Sequence, residues 1–381
     1  MERMELTLTG TYNSAVVFTD EVEENALRQI ELLLEQPFLK GERIRVMPDV
    51  HAGKGSTIGT SLTIFNQKVV PNLVGVDIGC GIRVFEVKGV NPKELAKLDQ
   101  QIKLLIPSGF SVHPLPITEP FHLLDQLTFS VDNPDRIHLS QGTLGGGNHF
   151  IELGTNQKGQ YFLQIHSGSR NLGHQIARYH QKLAQDYQQV LEEVAREEGK
   201  TFIPVPKDLA YLEGQLLEDY LTDMKIAQAF AVNNRLLMGE RIIKQMGWQL
   251  VDTFDSMHNY IDIKCQLLRK GATDASKGTR LVIPLNMRDG SLICTGLGNP
   301  HWNYSAPHGA GRIMSRTEAR NKLSLADFKE TMAAVYSTSI SKRTLDEAPF
   351  AYKKADMIQE AIGDTVEITD HISPIYNFKA T

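Results

Sequence analysis

Asp77 and Cys80 stand three residues apart in VGVDIGCGIR, a stretch holding three glycines. Five further segments set reactive side chains in similar surroundings. Asp49, His51 and Lys54 lie in MPDVHAGKGSTIGTS, and Asn148, His149 and Glu152 in GTLGGGNHFIEL. His166, Arg170 and His174 lie in IHSGSRNLGHQ, His258 and Asn259 in DSMHNY, and His308 and Arg312 in SAPHGAGR. A thiolate, imidazoles and a carboxylate brought together suit a borderline divalent metal such as manganese or zinc. A carboxylate can bridge two such ions, and a pair about 3.5–4 Å apart can clamp the attacking and leaving oxygens of a phosphoryl transfer. Glycines beside the ligands would let phosphates reach backbone N–H groups. Arg170 and Arg312 would add bidentate phosphate contacts.

Each segment alone reads equally well as a tight turn or as a hydrogen-bonded core histidine. Six polar segments framed by glycine are hard to explain as six independent turns. Their spacing is not a local zinc-finger pattern, so convergence has to come from the fold. On residue chemistry alone, the chain is a metal-dependent phosphoryl-transfer enzyme.

The elements that must position these residues are partly visible. ELTLTG, SAVVF, RIRVM, TSLTIF, IRVFEV, QYFLQIH, RLVIPL and SLICTGL have strand character. Ala26, Leu27, Ile30, Leu33 and Leu34 recur at helical spacing over 21–36. Two long amphipathic helices follow between about 172 and 247, each closed by a glycine, with TFIPVPKDLAYL as the loop between them. Strands do not alternate regularly with helices, so a doubly wound parallel sheet is not expected. The expectation is a mixed α+β fold of mainly antiparallel sheets around a central cleft. It forms a single domain over 1–381 with a helical insert at about 172–247.

Composition sets the outer bounds. Of the 381 residues, 41% are hydrophobic and 22% charged, an ordinary globular balance. No run of about 18 apolar residues occurs, and MERMELTLTG lacks the apolar core of a secretory signal. Three cysteines, Cys80, Cys265 and Cys294, are too few and scattered for a disulfide framework. The expected location is therefore the reduced cytoplasm, with Cys265 and Cys294 in the core and no membrane partner. A net charge of −5 argues against coating nucleic acid by bulk positive charge. It leaves room for a local basic cleft that grips a strand end. A basic edge on the long helices would serve that purpose, and Lys54 and Lys270 are candidate phosphate contacts.

Taken together, MPDVHAGKGSTIGTS, GVDIGCGIR, GGGNHF, HSGSR, MHN and HGAGR resemble the RtcB family of RNA ligases, in the family's order. EAPFAYK extends the match to residue 353. The resemblance implies an RtcB-like fold and a ligase that uses two Mn²⁺ ions and GTP. It would join an RNA 3′-phosphate, or a 2′,3′-cyclic phosphate opened to it, to a 5′-hydroxyl. The implied route runs through a covalent histidine–GMP and an RNA capped at its 3′ end by a pyrophosphate-linked guanosine. His308 matches the nucleophile and Asp49 the carboxylate that hydrogen-bonds it. Asp77, Cys80, His149, His166 and His258 match the metal ligands, with Asp77 and Cys80 placed to serve both ions. The resemblance puts Asn148, Glu152, Ser291, Gly309, Ala310, Gly311, Tyr352 and Lys379 around the nucleotide, with Glu152, Tyr352 and Lys379 near the guanine.

Two departures stand out. PLNMRDGSL (284–292) has Arg288 where the family usually has glycine, and Pro307 directly precedes His308. Neither removes a ligand or the nucleophile. The pattern resembles a divergent bacterial branch of the family devoted to RNA repair rather than intron splicing. The competing readings are a phosphodiesterase or phosphatase using the same two ions to activate water, and an inactive RNA-binding paralogue.

Overall fold

The computed structural model describes residues 5–380. In chain order its strands are β1 (Leu6–Thr9), β2 (Ser14–Val17), β3 (Ile44–His51), β4 (Ile58–Thr63), β5 (Gly81–Lys88), β6 (Phe150–Thr155), β7 (Tyr161–Ser167) and β8 (Gln249–Met257). They continue with β9 (Asn259–Asp262), β10 (Leu267–Lys270), β11 (Ala272–Asp274), β12 (Arg280–Asn286), β13 (Gly290–Gly296), β14 (Ser305–Pro307) and β15 (Val366–Lys379). The helices that matter below are α1 (Glu24–Leu34), α2 (Leu95–Leu105), α3 (Pro134–Leu139), α4 (Arg170–Glu197) and α5 (Gly214–Met246).

Three sheets result, in the orders β1-β2-β3-β4-β10-β9, β11-β14 and β12-β13-β15-β6-β7-β5-β8. Apart from the parallel β2–β3 pair, their ladders are antiparallel. The fold is mixed α+β, as expected.

Register in the seven-stranded sheet explains why distant segments meet. Phe150 pairs with His166, and His166 with Ile82. Gly81 pairs with Ser167 on one side and Met257 on the other. His149, His166, Cys80 and His258 therefore fall at one edge of four adjacent strands. A one-residue slip on any strand would turn its ligand to the other face.

The two long helices are where the sequence places them, but α5 is no appended insert. Phe230, Met238 and Ile242 are fully buried, each contributing about 1.5–3 kcal/mol by leaving water. Gly239 lets α5 press onto the Phe85 ring, which a Cβ would meet at 2.1 Å. The helix also carries polar struts into the site. Buried Asn234 donates to the carbonyls of Thr143 and Gly168. Fully buried Arg235 grips Asp255 with two nitrogens and donates Nη1 to the carbonyls of Gly79 and Ser167 at 2.8 and 2.7 Å.

Strands β6, β8 and β15 and helix α2 escape the sequence reading. β15 carries Pro374 in its interior, beside a register shift between Pro374 and Tyr376 that lets the ladder tolerate a missing donor. Most of β8 is exposed or half-exposed, so it shows no apolar alternation.

Candidate active site

At the sheet edge, two groups of ligand-type atoms form around one sulfur. Cys80, His166 and His258 make one, and Asp77, Cys80 and His149 the other, with donor atoms of each group within 4.8 Å of one another. Ligands on opposite sides of a single ion at about 2.0–2.3 Å cannot be much further apart than this, so each group fits one ion. Cys80 Sγ lies 3.3 Å from His166 Nε2 and 3.5 Å from His149 Nε2. Asp77 Oδ2 lies 3.0 Å from His149 Nε2. Cys80 alone is common to both groups. Asp77 falls in one of them, where the sequence reading places it in both.

The electrostatics suit a cation. Burial, reinforced by neighbouring imidazoles, holds His166 and His258 well below the usual histidine range, so both rings are neutral and present lone pairs. His149 turns Nδ1 to the Leu144 carbonyl at 2.8 Å, leaving Nε2 as the free donor. Burial and the adjacent Asp77 push the Cys80 thiol well up, so a compensating positive charge is what would keep it a thiolate. Donors of this softness suit manganese or zinc.

The glycines around Cys80 do a different job from the one the sequence suggests. A Cβ on Gly79 would meet the Ala231 side chain of α5 at 2.9 Å, and one on Gly81 the Ser256 carbonyl at 2.6 Å. They let the backbone pack closely. At Gly168 the missing Cβ makes room for the Asp77 carboxylate, and at Gly145 for the His149 ring and Arg170.

Beside the Cys80–His166–His258 group stands His308, its ring centroid 4.9 Å from that of His258. Its Nδ1 lies 2.6 Å from Asp49 Oδ2, and its backbone N–H donates to the same oxygen at 3.1 Å. Asp49 is fully buried. A proton donated from Nδ1 to this carboxylate leaves the Nε2 lone pair free. Pro307 sits in the short β14 ladder opposite Ala272 and leaves the Asp49 contact intact.

His308 opens onto a cavity of about 510 Å³, a size suited to a mononucleotide. Asn148, Glu152, Ser291, Gly309, Ala310, Gly311, Tyr352 and Lys379, the residues the resemblance puts around a nucleotide, all line this one cavity. Buried acceptors and donors without protein partners point the same way: Ser291 Oγ, Asn377 Oδ1 and His166 Nδ1 belong to lining residues and stand unpaired. Each such group costs about 1–3 kcal/mol unless something satisfies it. Arg288 is absent from the lining; it points outward and pairs with Asp289 at 2.6 Å. This departure from the family pattern leaves the cavity open.

At the far wall, Lys379 Nζ donates to Glu347 Oε2 at 2.7 Å and lies 5.0 Å from the Phe150 ring centroid. Tyr352 donates to the same Glu347 oxygen. Burial pushes the Glu347 carboxyl up, but Lys379 and Arg316 outweigh it and hold it at about 2.

Glu152 is different. Gln164 and Asn377 each donate an amide to one of its oxygens, yet burial pushes its carboxyl up to about 7. The folded chain therefore keeps this proton where the unfolded chain, near 4.5, has lost it. Stability from this group is present below pH 4.5 and lost as pH rises through 7, by about 3 kcal/mol. In urea unfolding, the wild type should lose stability relative to Glu152→Gln between pH 5 and pH 8. A constant difference between the two would refute the assignment.

The two arginines are less available than their motifs imply. Arg170 opens α4 at φ +56° and spends Nε on Thr143 and Nη2 on the Gly109 carbonyl. Arg312 gives its three nitrogens to Met314, Tyr352 and Asp346. It lines the cavity as a brace for the 346–352 segment. Lys270 is likewise not a free phosphate contact: its amine is buried and donates to Lys54 O, Ser56 Oγ and Asn72 O. Cys294 is buried as expected, but Cys265 is exposed in the turn between β9 and β10. Sequence reasoning missed Glu347, Asn377, Gln164 and Arg235. Glu347 sits directly before APFAYK and was within reach; the other three lack a local signal.

Comparison with known proteins agrees with this geometry. A family model described as tRNA-splicing ligase RtcB matches residues 29–130 and 122–380, and the chain belongs to the RtcB family. It is 34% identical to RNA-splicing ligase RtcB1 of an Escherichia coli strain, covering 91% of this chain and 92% of the relative. It is 33% identical to RNA-splicing ligase RtcB of Escherichia coli K12 over the same shares. Identity to tRNA-splicing ligase RtcB of Aeropyrum pernix is 28%, over 91% of this chain and 90% of that one.

Proposed function

We propose that this chain is a GTP-dependent RNA ligase joining 3′-phosphate or 2′,3′-cyclic phosphate ends to 5′-hydroxyl ends. The observation that carries the reading is the Asp49–His308 pair, which stands between the ligand cluster and the cavity. Asp49 holds the Nδ1 proton and stabilises the positive charge that develops on the ring, so Nε2 can attack the α-phosphorus of GTP. An N–P bond forms as the bond to pyrophosphate breaks. The GMP then passes to an oxygen of the RNA 3′-phosphate and frees His308. A 5′-hydroxyl attacks that 3′-phosphorus, loses its proton, and expels GMP. A cyclic end must first be opened by water to the 3′-phosphate.

Asp77, Cys80, His149, His166 and His258 would hold two Mn²⁺ ions, which would supply Lewis-acid charge to phosphate oxygens. Glu152 would accept from the N–H edge of guanine, a pair of donors that adenine does not present, and those donors would favour its ionised form. Lys379, Tyr352 and Phe150 close the base site, and Asn148, Ser291 and the 309–311 backbone face the phosphates. One catalytic domain spans the chain, since residues from 49 to 379 build one site. Among the described residues no helix is long and apolar enough to cross a membrane. A site that depends on a free thiol supports a reduced, cytoplasmic setting.

The test uses the full chain with Mn²⁺, α-labelled GTP and two oligoribonucleotides, one ending in 3′-phosphate and one starting with 5′-hydroxyl. The expected outcome is an acid-labile label on the protein and a sealed product that requires GTP. Release of phosphate from the RNA with neither label nor product would favour the hydrolase reading.

A further inference from the structure

A second cavity, of about 660 Å³, runs along α4 and shares no lining residue with the first. We propose that it is the track for the RNA strand that brings the 5′-hydroxyl. This rests on the ligase reading and adds which strand lies where.

Three observations carry it. First, Arg170, His174, Arg178 and Lys182 recur at every fourth position of α4, and the last three line the groove. Each step is about 6 Å along the helix, close to the separation of neighbouring phosphates on a nucleic-acid strand. Arg178 and Lys54, both exposed on the groove, have no ion-pair or hydrogen-bond partner for their side-chain nitrogens among the described residues. Lys182 pairs only with exposed Asp186. Asp132 and Asp208 also line the groove, against the three cations Lys54, Arg178 and Lys182.

Second, the Tyr179 ring stacks on Phe129 with centroids 4.2 Å apart and planes 6° from parallel. Tyr179 remains 40% exposed. A rigid aromatic face beside a basic stripe is how proteins hold a single strand without reading its sequence.

Third, the groove reaches the cluster from the other group. Val76, next to Asp77, lines the groove, whereas His166 and His308 line the nucleotide cavity. The loop at 51–54 passes between them, with His51 on the first cavity and Lys54 on the second. Attacking and leaving oxygens lie roughly in line across a transferring phosphorus. With GMP departing into the first cavity, the 5′-hydroxyl enters from the Asp77 side, along α4.

The test is a two-strand joining reaction with Arg178→Ala/Lys182→Ala, varying one oligonucleotide at a time. The KM for the 5′-hydroxyl strand should rise at least tenfold, while KM for the 3′-phosphate strand and GMP labelling stay unchanged. The salt dependence of 5′-hydroxyl strand binding should flatten by about 1.4 in log–log slope, at about 0.7 for each lost contact. Arg178→Lys/Lys182→Arg keeps both charges and should retain wild-type KM. An unchanged KM for the 5′-hydroxyl strand, or a rise confined to the 3′-phosphate strand, would overturn the assignment. A wild-type chain that takes no GMP label would instead overturn the ligase reading, and this one with it.

Discussion

His308→Ala should take no label from α-labelled GTP and should seal no RNA, while its metal content and unfolding midpoint stay close to wild type. The ring is only partly buried and is no member of either ligand group, so on the proposed route its loss removes the atom that would bond to phosphorus and little else. Asp49→Asn separates orientation from charge. It keeps a side chain able to reach Nδ1 but removes the negative charge opposite a ring that becomes positive during attack. Where an aspartate–histidine pair of this kind is neutralised in serine proteases, the rate falls by about 10⁴-fold. A fall of roughly that order in the single-turnover rate of labelling is expected here. Full labelling of His308→Ala, measured on denatured protein, would remove His308 from the chemistry.

Cys80→Ala should have the largest effect on metal binding, because its sulfur is the one donor common to both groups. Loss of outer-shell partners alone weakens metal sites about 10–100-fold, and losing a direct ligand should cost more. After dialysis with Mn²⁺, metal content measured by atomic emission should fall at both positions in Cys80→Ala. In His258→Ala it should fall at one only. Retention of one tightly held ion by Cys80→Ala would show that the two groups do not share the sulfur.

Much of the site could be read before the fold. Asp49, Asp77, Cys80, His149, His166, His258 and His308 all sit in short motifs whose residue types declare metal and phosphate chemistry, and the structure gathers them. What spacing could not show was why they meet. That depends on the pairing of β6, β7, β5 and β8, in which β5 at Gly81–Lys88 meets β8 at Gln249–Met257. The side chains that support the site were illegible for a related reason. Arg235 and Asn234 look like polar residues on one amphipathic helix until the middle of α5 is seen to bury both of them. Asn377 sits in a strand whose proline and charged residues conceal it. Conversely, Arg170 and Arg312 stand in conspicuous motifs, yet their guanidinium groups brace the loops around the site. A motif shows that a residue matters without telling whether it faces the ligand or its neighbours.

The place of β15 has a consequence for how the chain comes to be folded. It lies between β13 and β6, so the β12–β13 pair joins the backbone ladder of the β6-β7-β5-β8 group through residues 366–379, and β12 otherwise meets β8 through side chains such as Arg280 on Asp252. On a ribosome, β6 and β7 (Phe150–Ser167) emerge long before β15 (Val366–Lys379), the strand that completes their sheet. Until it arrives, β6 offers an open edge, the kind of surface that pairs with the wrong partner. Contacts so distant in sequence also make closure slow. The cavity beside His308, whose lining includes Asn377 and Lys379, forms at that same late step. With GTP as the proposed occupant, only chains that have closed the sheet would bind it, and nucleotide added during refolding should raise the yield of native protein.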